Sequence, residues 1–172
     1  MANSKLPIQL SAGKIKRYHT HPIIGEQTVG EHTYGVVQIL RYITGDNCTK
    51  SMLMAALDHD VLEYFTGDIP HPAKKMFPEL KGLLGRIECH LENEVGLLEH
   101  TNLSEKEQLT IRCADLLEMG FFGKYQMDLG NGYGKAITEN IVKALEALPS
   151  VDVPQLAKDL TVELRGYIDG SK

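Results

Sequence analysis

Apolar residues recur along most of this chain at spacings of three, four and seven, and this helical period constrains the fold more than any other sequence feature. In the first such segment the apolar stripe consists of Val29, Val36, Val37, Leu40 and Ile43. No segment alternates strictly between apolar and polar residues, which is the pattern of a half-buried strand. The sequence therefore predicts an all-α fold.

Capping and breaking signals give approximate bounds for the predicted helices. The segments T-V-G-E at Thr28 and S-E-K-E at Ser104 are capping boxes, in which the first and fourth residues satisfy free backbone amides. Pro70 and Pro72 end one helix, and Pro154 is expected at the first position of another. The predicted helices span residues 29–44, 50–65, 78–99, from the Ser104 box to 129, 135–147 and 155–168. In the helix 78–99, the stripe from Leu80 to Leu98 is expected to face the core.

Length and charge limit the classes of function. The 172 residues fit one domain, 1–172, that is large enough to bury a core without metal or disulfide support. A net charge of −5 argues against a nucleic-acid polymer or an anionic membrane as partner. The cysteines Cys48, Cys89 and Cys113 are far apart and lack metal-binding spacing, so buried thiols in a reducing compartment are expected. With no signal-peptide or membrane-spanning pattern, we expect a soluble cytoplasmic protein.

Ionisable residues are concentrated at the end of the predicted helix 50–65. Asp58, His59 and Asp60 are consecutive, and Glu63 follows one turn later, although a helix C-terminus favours cations. Adjacent side chains diverge by about 100° on a helix, so His59 and Asp60 can bind one ion only if other helices complete its shell. Asp58 gains no role from this pattern.

His32, near the start of its helix, and Asp115, inside the apolar segment C-A-D-L-L, are suitable additional ligands. Two imidazoles and two carboxylates suit a divalent ion such as Mn²⁺, Co²⁺, Mg²⁺, Fe²⁺ or Zn²⁺. A simpler interpretation stays open for each residue. A helical histidine is more often hydrogen-bonded or on the surface, and Asp115 can pair with Arg112 one turn earlier.

The segments T-V-G-E-H-T-Y-G-V-V, L-D-H-D-V-L-E-Y-F-T-G-D-I-P-H-P-A-K-K and R-C-A-D-L-L-E resemble the H…HD…D signature of HD-domain phosphohydrolases. The resemblance covers roughly residues 17–129 and is strongest to the branch of YfbR-like 5′-deoxynucleotidases and phage dATP triphosphohydrolases called DatZ. It implies an all-α HD-domain helical bundle with a central metal site. The implied metal ligands are His32, His59, Asp60 and Asp115.

The same resemblance implies roles for two further acidic residues. Glu63 is expected to act as general base, or to hold a second ion. Asp68 is expected in the active site near the sugar and the attacked phosphorus. For Asp68, a turn-forming and capping role is the alternative that the residues themselves suggest.

Substrate contacts are expected from cationic and aromatic residues. Arg17, Lys74 and Arg112 match positions that contact phosphate in the family, and arginine suits bidentate phosphate binding. Tyr18 stands where the family often has tryptophan, and it can stack on a base or sugar or pack in the core. Gly30 stands where the family usually has another small residue, often Ala or Ser, immediately before E-H. His19 and His21 precede the capping box in an irregular segment and are interpreted as pocket-lining or surface residues.

The implied reaction is metal-dependent hydrolysis of a deoxynucleotide at its α-phosphorus. The leading interpretation is a triphosphohydrolase that converts dATP to deoxynucleoside and triphosphate. The alternatives are a 5′-deoxynucleotidase that acts on deoxynucleoside monophosphates, and a non-catalytic HD-fold nucleotide sensor. The resemblance also implies a homo-oligomer, a dimer or hexamer, in the cytoplasm of a host cell if the chain is phage-encoded.

Overall fold

The computed structural model describes residues 6–95 and 103–170. Its first part contains α1 (Leu6–Ala12), β1 (Lys16–Arg17), β2 (Gln27–Thr28), α2 (Val29–Thr44), α3 (Lys50–Asp58), α4 (Glu63–Thr66), α5 (His71–Met76) and α6 (Pro78–Val95). The second part contains α7 (Glu105–Asp128), α8 (Tyr133–Glu146) and α9 (Gln155–Ile168). The predicted all-α architecture is confirmed.

The core forms where α2, α8 and α9 pack around α7. Fully buried side chains from these four helices meet there, among them Leu40, Leu117, Val142 and Leu164. The apolar surface of α7 is therefore central to the core. Both capping boxes form, at Thr28 and at Ser104. Pro154 caps α9 from outside, so its predicted place as first helical residue is wrong by one position.

The predicted helix 50–65 ends earlier, at Asp58. Residues 59–62 form a turn, and the Glu63 amide bonds the Asp60 carbonyl oxygen with the tighter three-residue spacing. The His59 ring contributes to this break, because its Nδ1 bonds the Ala56 carbonyl oxygen that the next amide of an α-helix would use. Glu63 therefore begins α4, a separate helix, and the expectation that it shares a helix with His59 and Asp60 is wrong.

A two-stranded antiparallel sheet is present, although the sequence gives no strand signal. Arg17 of β1 is paired with Gln27 of β2. Two residues per strand are too few for an alternating pattern. The strand pair leads directly into α2, where the Gly30 amide bonds the Gly13 carbonyl oxygen. A Cβ at residue 30 would lie 3.0 Å from that oxygen, which explains why glycine stands before Glu31.

Helix α6 departs most from its prediction. Its described side chains include none that is buried, and Leu83 is 45% exposed. Leu84, Ile87 and Leu91 instead line a cavity beside Glu63, so the stripe covers a site and does not join the core. The predicted end at Glu99, and the side chains of Val95 and Leu98, lie outside what the structure describes.

Two other expectations concern thiols and membranes. Cys113 is buried and Cys48 partly so, but Cys89 is exposed on α6, so the expectation of buried thiols is wrong for Cys89. Within residues 6–95 and 103–170, every helix is too short or too polar to cross a membrane.

Candidate metal centre

Side chains from three separate parts of the fold converge beside the cavity, which His59 and Asp60 also line. His32 comes from the first turns of α2, His59 and Asp60 from the turn after α3, and Asp115 from the middle of α7. The His32 Nε2 lies 3.2 Å from His59 Nε2 and 3.3 Å from Asp115 Oδ1. One ligand atom from each of His32, His59 and Asp115 lies within 4.8 Å of the other two, a spacing that can hold a metal ion.

Asp60 lies beside the same two imidazoles. Its Oδ2 is 3.3 Å from His59 Nε2 and 3.6 Å from His32 Nε2. All four residues predicted from the H…HD…D pattern are thus brought together, from positions as far apart as 32 and 115.

The hydrogen bonds of the two imidazoles fit a bound cation. His59 Nδ1 donates to the Ala56 carbonyl oxygen at 2.8 Å, and His32 Nδ1 donates to the Glu118 carboxylate. When both rings are neutral, their Nε2 atoms therefore direct lone pairs at one another and at the carboxylates of Asp60 and Asp115. Such a set of acceptors needs a positive charge at its centre, and mixed nitrogen and oxygen donors suit a divalent metal ion.

In the metal-free protein, a proton on His32 supplies this positive charge. Burial of the His32 ring opposes its charge, but hydrogen bonds to Asp115 and Glu118 outweigh burial and raise the pKa of His32 to about 9. Burial would raise the pKa of Asp115, but the His32 hydrogen bond and the charges of His59, His32 and Arg112 hold that pKa well below its usual range. A metal ion must therefore displace a proton from His32.

Glu118 is a site residue that the sequence analysis missed. It is buried on α7, its Oε2 accepts from His32 Nδ1, and its Oε1 accepts from Gln27 Nε2 at 2.8 Å. The available signal was its spacing: Glu118 follows Asp115 by three residues, and so lies on the same face of a helix.

Glu63 lies in the cavity with one oxygen buried. Its Oε2 has no hydrogen-bond partner among the residues that the structure describes. Burial, followed by the nearby charges of Asp60 and Asp68, raises the pKa of Glu63 to about 8, against the opposing charges of Arg17 and Lys74. Such a carboxyl can hold or release a proton near neutral pH.

Arg17 is bonded directly to a candidate metal ligand. Its side chain is 9% exposed, and Nη1 donates to Asp60 Oδ2 at 2.7 Å. Burial would lower the pKa of Arg17, but the charge of Asp60 and smaller effects of Tyr18, Asp115 and Glu63 leave it raised. The buried Nε is unpaired within the described part of the chain. The guanidinium therefore brings a fixed positive charge to the edge of the cluster.

Tyr18 and Asp68 are joined through the backbone. The Tyr18 amide donates to Asp68 Oδ2 at 3.2 Å, and Tyr18 has φ of 55°, in the left-handed region that is unusual for an aromatic residue. The Tyr18 ring stacks on Phe122, with centroids 4.7 Å apart. One face of the ring is therefore packed against α7, as the core-packing alternative predicts.

The remaining predicted residues lie at different distances from the cluster. Lys74 lines the cavity with His59, Asp60 and Glu63. Arg112 is half-exposed and bonds Asp115 Oδ2, so the simple pairing that the sequence suggests coexists with the cluster. His19 is exposed, whereas His21 packs partly buried against the rings of Tyr18 and Tyr133.

Comparison with known proteins bears on both fold and chemistry. The family model described as 5′-deoxynucleotidase YfbR-like matches residues 12–161. A dATP triphosphohydrolase of cyanophage S-2L is 34% identical over 110 residues, which are 61% of this chain and 62% of that relative. The matched region thus spans less than two thirds of the relative's length.

Solved structures share the whole fold. The HD phosphohydrolase DatZ of cyanophage S-2L, bound to dA and one catalytic Zn²⁺ ion, has a TM-score of 0.68 at 23% identity, covering 95% of this chain and 96% of that one. A protein of Pyrococcus horikoshii OT3 has a TM-score of 0.69 at 20% identity, covering 96% and 97%. At these identities the likeness establishes a common fold.

Proposed function

The chain belongs to the YfbR-like 5′-deoxynucleotidase family of HD-domain phosphohydrolases, and on that premise we propose that it hydrolyses deoxynucleotides at the α-phosphorus. The leading substrate is dATP, with deoxynucleoside and triphosphate as products. The observation that carries the proposal is the convergence of His32, His59, Asp60 and Asp115 around the His32 and His59 Nε2 atoms.

His32, His59, Asp60 and Asp115 would hold the ion. A divalent metal bound there supplies Lewis-acid chemistry, activating a water molecule and polarising the phosphoryl oxygen. Of the candidate ions Mn²⁺, Co²⁺, Zn²⁺, Mg²⁺ and Fe²⁺, the pair of imidazoles disfavours Mg²⁺, which prefers oxygen ligands. The Zn²⁺ ion named for cyanophage DatZ supports a transition metal.

Glu63 is the proposed general base. Its carboxyl lines the cavity with His59 and Asp60, and its Oε2 is unpaired among the described residues, so it is placed to accept the proton that the attacking water gives up. In the alternative role it would hold a second ion. Asp68 would keep a negative charge beside Glu63 while anchoring the Tyr18 backbone.

The phosphate groups need cations besides the metal. Lys74 is the best supported, since it lines the cavity beside Glu63. Arg17 would contribute through guanidinium nitrogens that Asp60 does not use, and Arg112 would contribute from the half-exposed side of Asp115. Tyr18 would contact the sugar or base with the ring face that does not stack on Phe122.

The cavity beside Glu63 encloses about 70 Å³, which is room for small groups such as water but not for a nucleotide. A deoxynucleotide would therefore not fit within this cavity alone. We also propose that the protein forms a dimer or hexamer, which sedimentation would test. Its proposed location is the cytoplasm, which cell fractionation would test.

A phosphate-product assay tests the function. The purified protein is incubated with Mn²⁺, Co²⁺, Zn²⁺ or Mg²⁺ and with dATP, dAMP or the other deoxynucleotides, and the phosphate released is identified. Triphosphate from dATP is the expected product. Orthophosphate from dAMP, with dATP intact, would instead assign the 5′-deoxynucleotidase activity that the family description favours.

Two controls make the assay decisive. Asp60→Ala protein should release no phosphate, which excludes a contaminating phosphatase. Arg165→Ala, which removes a surface pair with Glu146 on α8, should retain the wild-type rate. Absence of turnover by metal-loaded protein on every deoxynucleotide would contradict an enzymatic function and favour a sensor.

A further inference from the structure

We propose that Glu118 is a positioning residue of the metal centre, which fixes the ring orientation and tautomer of His32 so that Nε2 faces the ion. Its carboxylate accepts from His32 Nδ1, and the ring it orients is fully buried. This hydrogen bond leaves Nε2 as the only ring nitrogen with a lone pair for a metal. The inference rests on the metal site of the proposed function and is independent of the substrate.

Glu118 is itself held in place from two sides. Gln27 Nε2 donates to Oε1 at 2.8 Å, and Gln27 is 5% exposed. On the other side, Glu118 packs against Gly35 of α2, where an added Cβ would lie 2.7 Å from Glu118 Cγ. Both side-chain oxygens therefore have fixed partners, and the carbon chain has a fixed path.

This arrangement connects His32 to the strand pair that carries Arg17. Gln27 is paired with Arg17 across the sheet, Arg17 bonds Asp60, and Asp60 lies beside the His32 and His59 imidazoles. Glu118 thus contacts the cluster at His32, and Arg17 contacts it at Asp60. Neither residue needs to contact the ion to determine where its ligands lie.

A purely structural role makes a different prediction from a positioning role. A buried carboxylate that only satisfied polar neighbours would, when replaced, lower the melting temperature and leave metal affinity of the folded protein unchanged. A positioning residue changes affinity, because a His32 ring without its acceptor can rotate or adopt the other tautomer. Residues that orient metal-bound histidines typically alter affinity by about 10- to 100-fold.

The first test measures Zn²⁺ and Co²⁺ affinity by competition with a chelator. Glu118→Ala should weaken binding about 10- to 100-fold and alter the visible spectrum of the Co²⁺-loaded protein. Glu118→Gln should lose less, because its amide oxygen can still accept from His32 Nδ1 after Gln27 reverses its own amide, whose Oε1 lacks a hydrogen-bond partner among the described residues. Ile168→Val, which weakens the core at α9, is the control that lowers stability without changing affinity.

The second test displaces the Glu118 side chain without changing any polar side chain. Gly35→Ala should weaken metal binding, because the methyl group displaces the Glu118 side chain. In a Glu118→Ala background the same methyl group meets no carboxylate chain, so Gly35→Ala should then have little further effect. Gly85→Ala on α6 is the matched control and should bind metal as the wild type does, because an added Cβ there meets no described atom within 4 Å outside the backbone of its own helix.

The outcomes separate this inference from the proposed function. Unchanged affinity and Co²⁺ spectrum in Glu118→Ala and Gly35→Ala would overturn the positioning role while the metal site stands. If Glu118→Ala does not fold, wild-type affinity in Gly35→Ala would overturn it as well. Weakened affinity in both variants, in a protein inactive on every deoxynucleotide, would support the positioning role and reject the proposed substrate. A wild-type protein that binds no divalent ion would overturn both.

Discussion

His32 Nε2 lies 3.2 Å from His59 Nε2, although the two histidines stand 27 positions apart and each uses Nδ1 for a different hydrogen bond. Two nitrogen lone pairs at this distance repel unless a proton or a metal ion lies between them. In the protein alone, the raised pKa of His32 means that the proton is present at neutral pH. This competition between proton and metal is directly measurable.

Metal affinity should rise with pH. Because the pKa of His32 is about 9 without metal and the bound form requires a neutral ring, apparent affinity should fall about tenfold between pH 8 and pH 7. Chelator competition at both values measures the change, and calorimetry in buffers of different ionisation enthalpy should detect one proton released from His32. Affinity that is independent of pH would contradict the assignment of His32 as a ligand.

Without metal, His32 should make stability depend on pH in the opposite sense. Its folded pKa is raised, from about 6.5 to about 9, so its stabilising contribution is fully present below pH 6.5 and is lost as pH rises through 9. The melting temperature of the chelator-treated protein should therefore fall across this range. The His32→Asn variant should show a weaker decline.

Glu63→Gln should separate catalysis from metal binding. Loss of the general base should lower kcat by about 10²- to 10⁴-fold while metal affinity stays close to that of the wild type. Glu79→Gln, at the exposed start of α6, is the matched control. Full activity of Glu63→Gln would refute the proposed role.

The same substitution should stabilise the metal-free protein above neutral pH. Because the folded pKa of Glu63 is raised to about 8, the unfolded chain ionises first and stability falls as pH rises from 4.5 towards 8. A neutral glutamine removes this loss. The melting temperature of Glu63→Gln at pH 8 should therefore exceed that of the wild type, as measured by thermal denaturation with chelator present.

Arg17→Ala should cost both stability and activity. Removing Arg17 leaves Asp60 in a largely buried site without its cation. The free energy of unfolding should therefore fall by about 3 kcal/mol. Arg165→Ala breaks an ion pair of the same 2.7 Å length at the surface and should cost no more than about 1 kcal/mol. Chemical denaturation of the two variants measures the difference, and equal losses would contradict the buried role of Arg17.

Asp68→Asn distinguishes a catalytic role for Asp68 from its role as acceptor for the Tyr18 backbone amide. The amide oxygen can still accept from the Tyr18 backbone, so the fold should persist, but loss of the negative charge beside Glu63 should lower kcat at least about tenfold. Asp68→Ala should lose activity and also release Tyr18 from its left-handed backbone conformation. Wild-type activity in Asp68→Asn alone would limit Asp68 to anchoring Tyr18.

The sequence is sufficient to predict secondary structure where the signal depends on neighbouring residues. The capping box at Thr28 and the apolar stripe that follows it predict α2 at its observed bounds, because caps and helical period depend on residues within a few positions. The H…HD…D pattern likewise identifies four residues that do meet, although His59 and Asp60 lie in the turn after α3 and not on a helix. The helix after Lys50 was predicted too long because the bond from His59 Nδ1 to the Ala56 carbonyl oxygen has no sequence signature.

The sequence by itself determined the helical class of this protein and the chemical identity of its candidate ligands, because both follow from local spacing and side-chain type. Only the tertiary structure decided that Arg17 bonds Asp60 and that Glu118 holds His32, pairs separated by 43 and 86 residues. Such pairs form when the packing of distant segments removes water from around their polar groups. A buried charge is then stabilised only by the partners that the fold places within hydrogen-bonding distance.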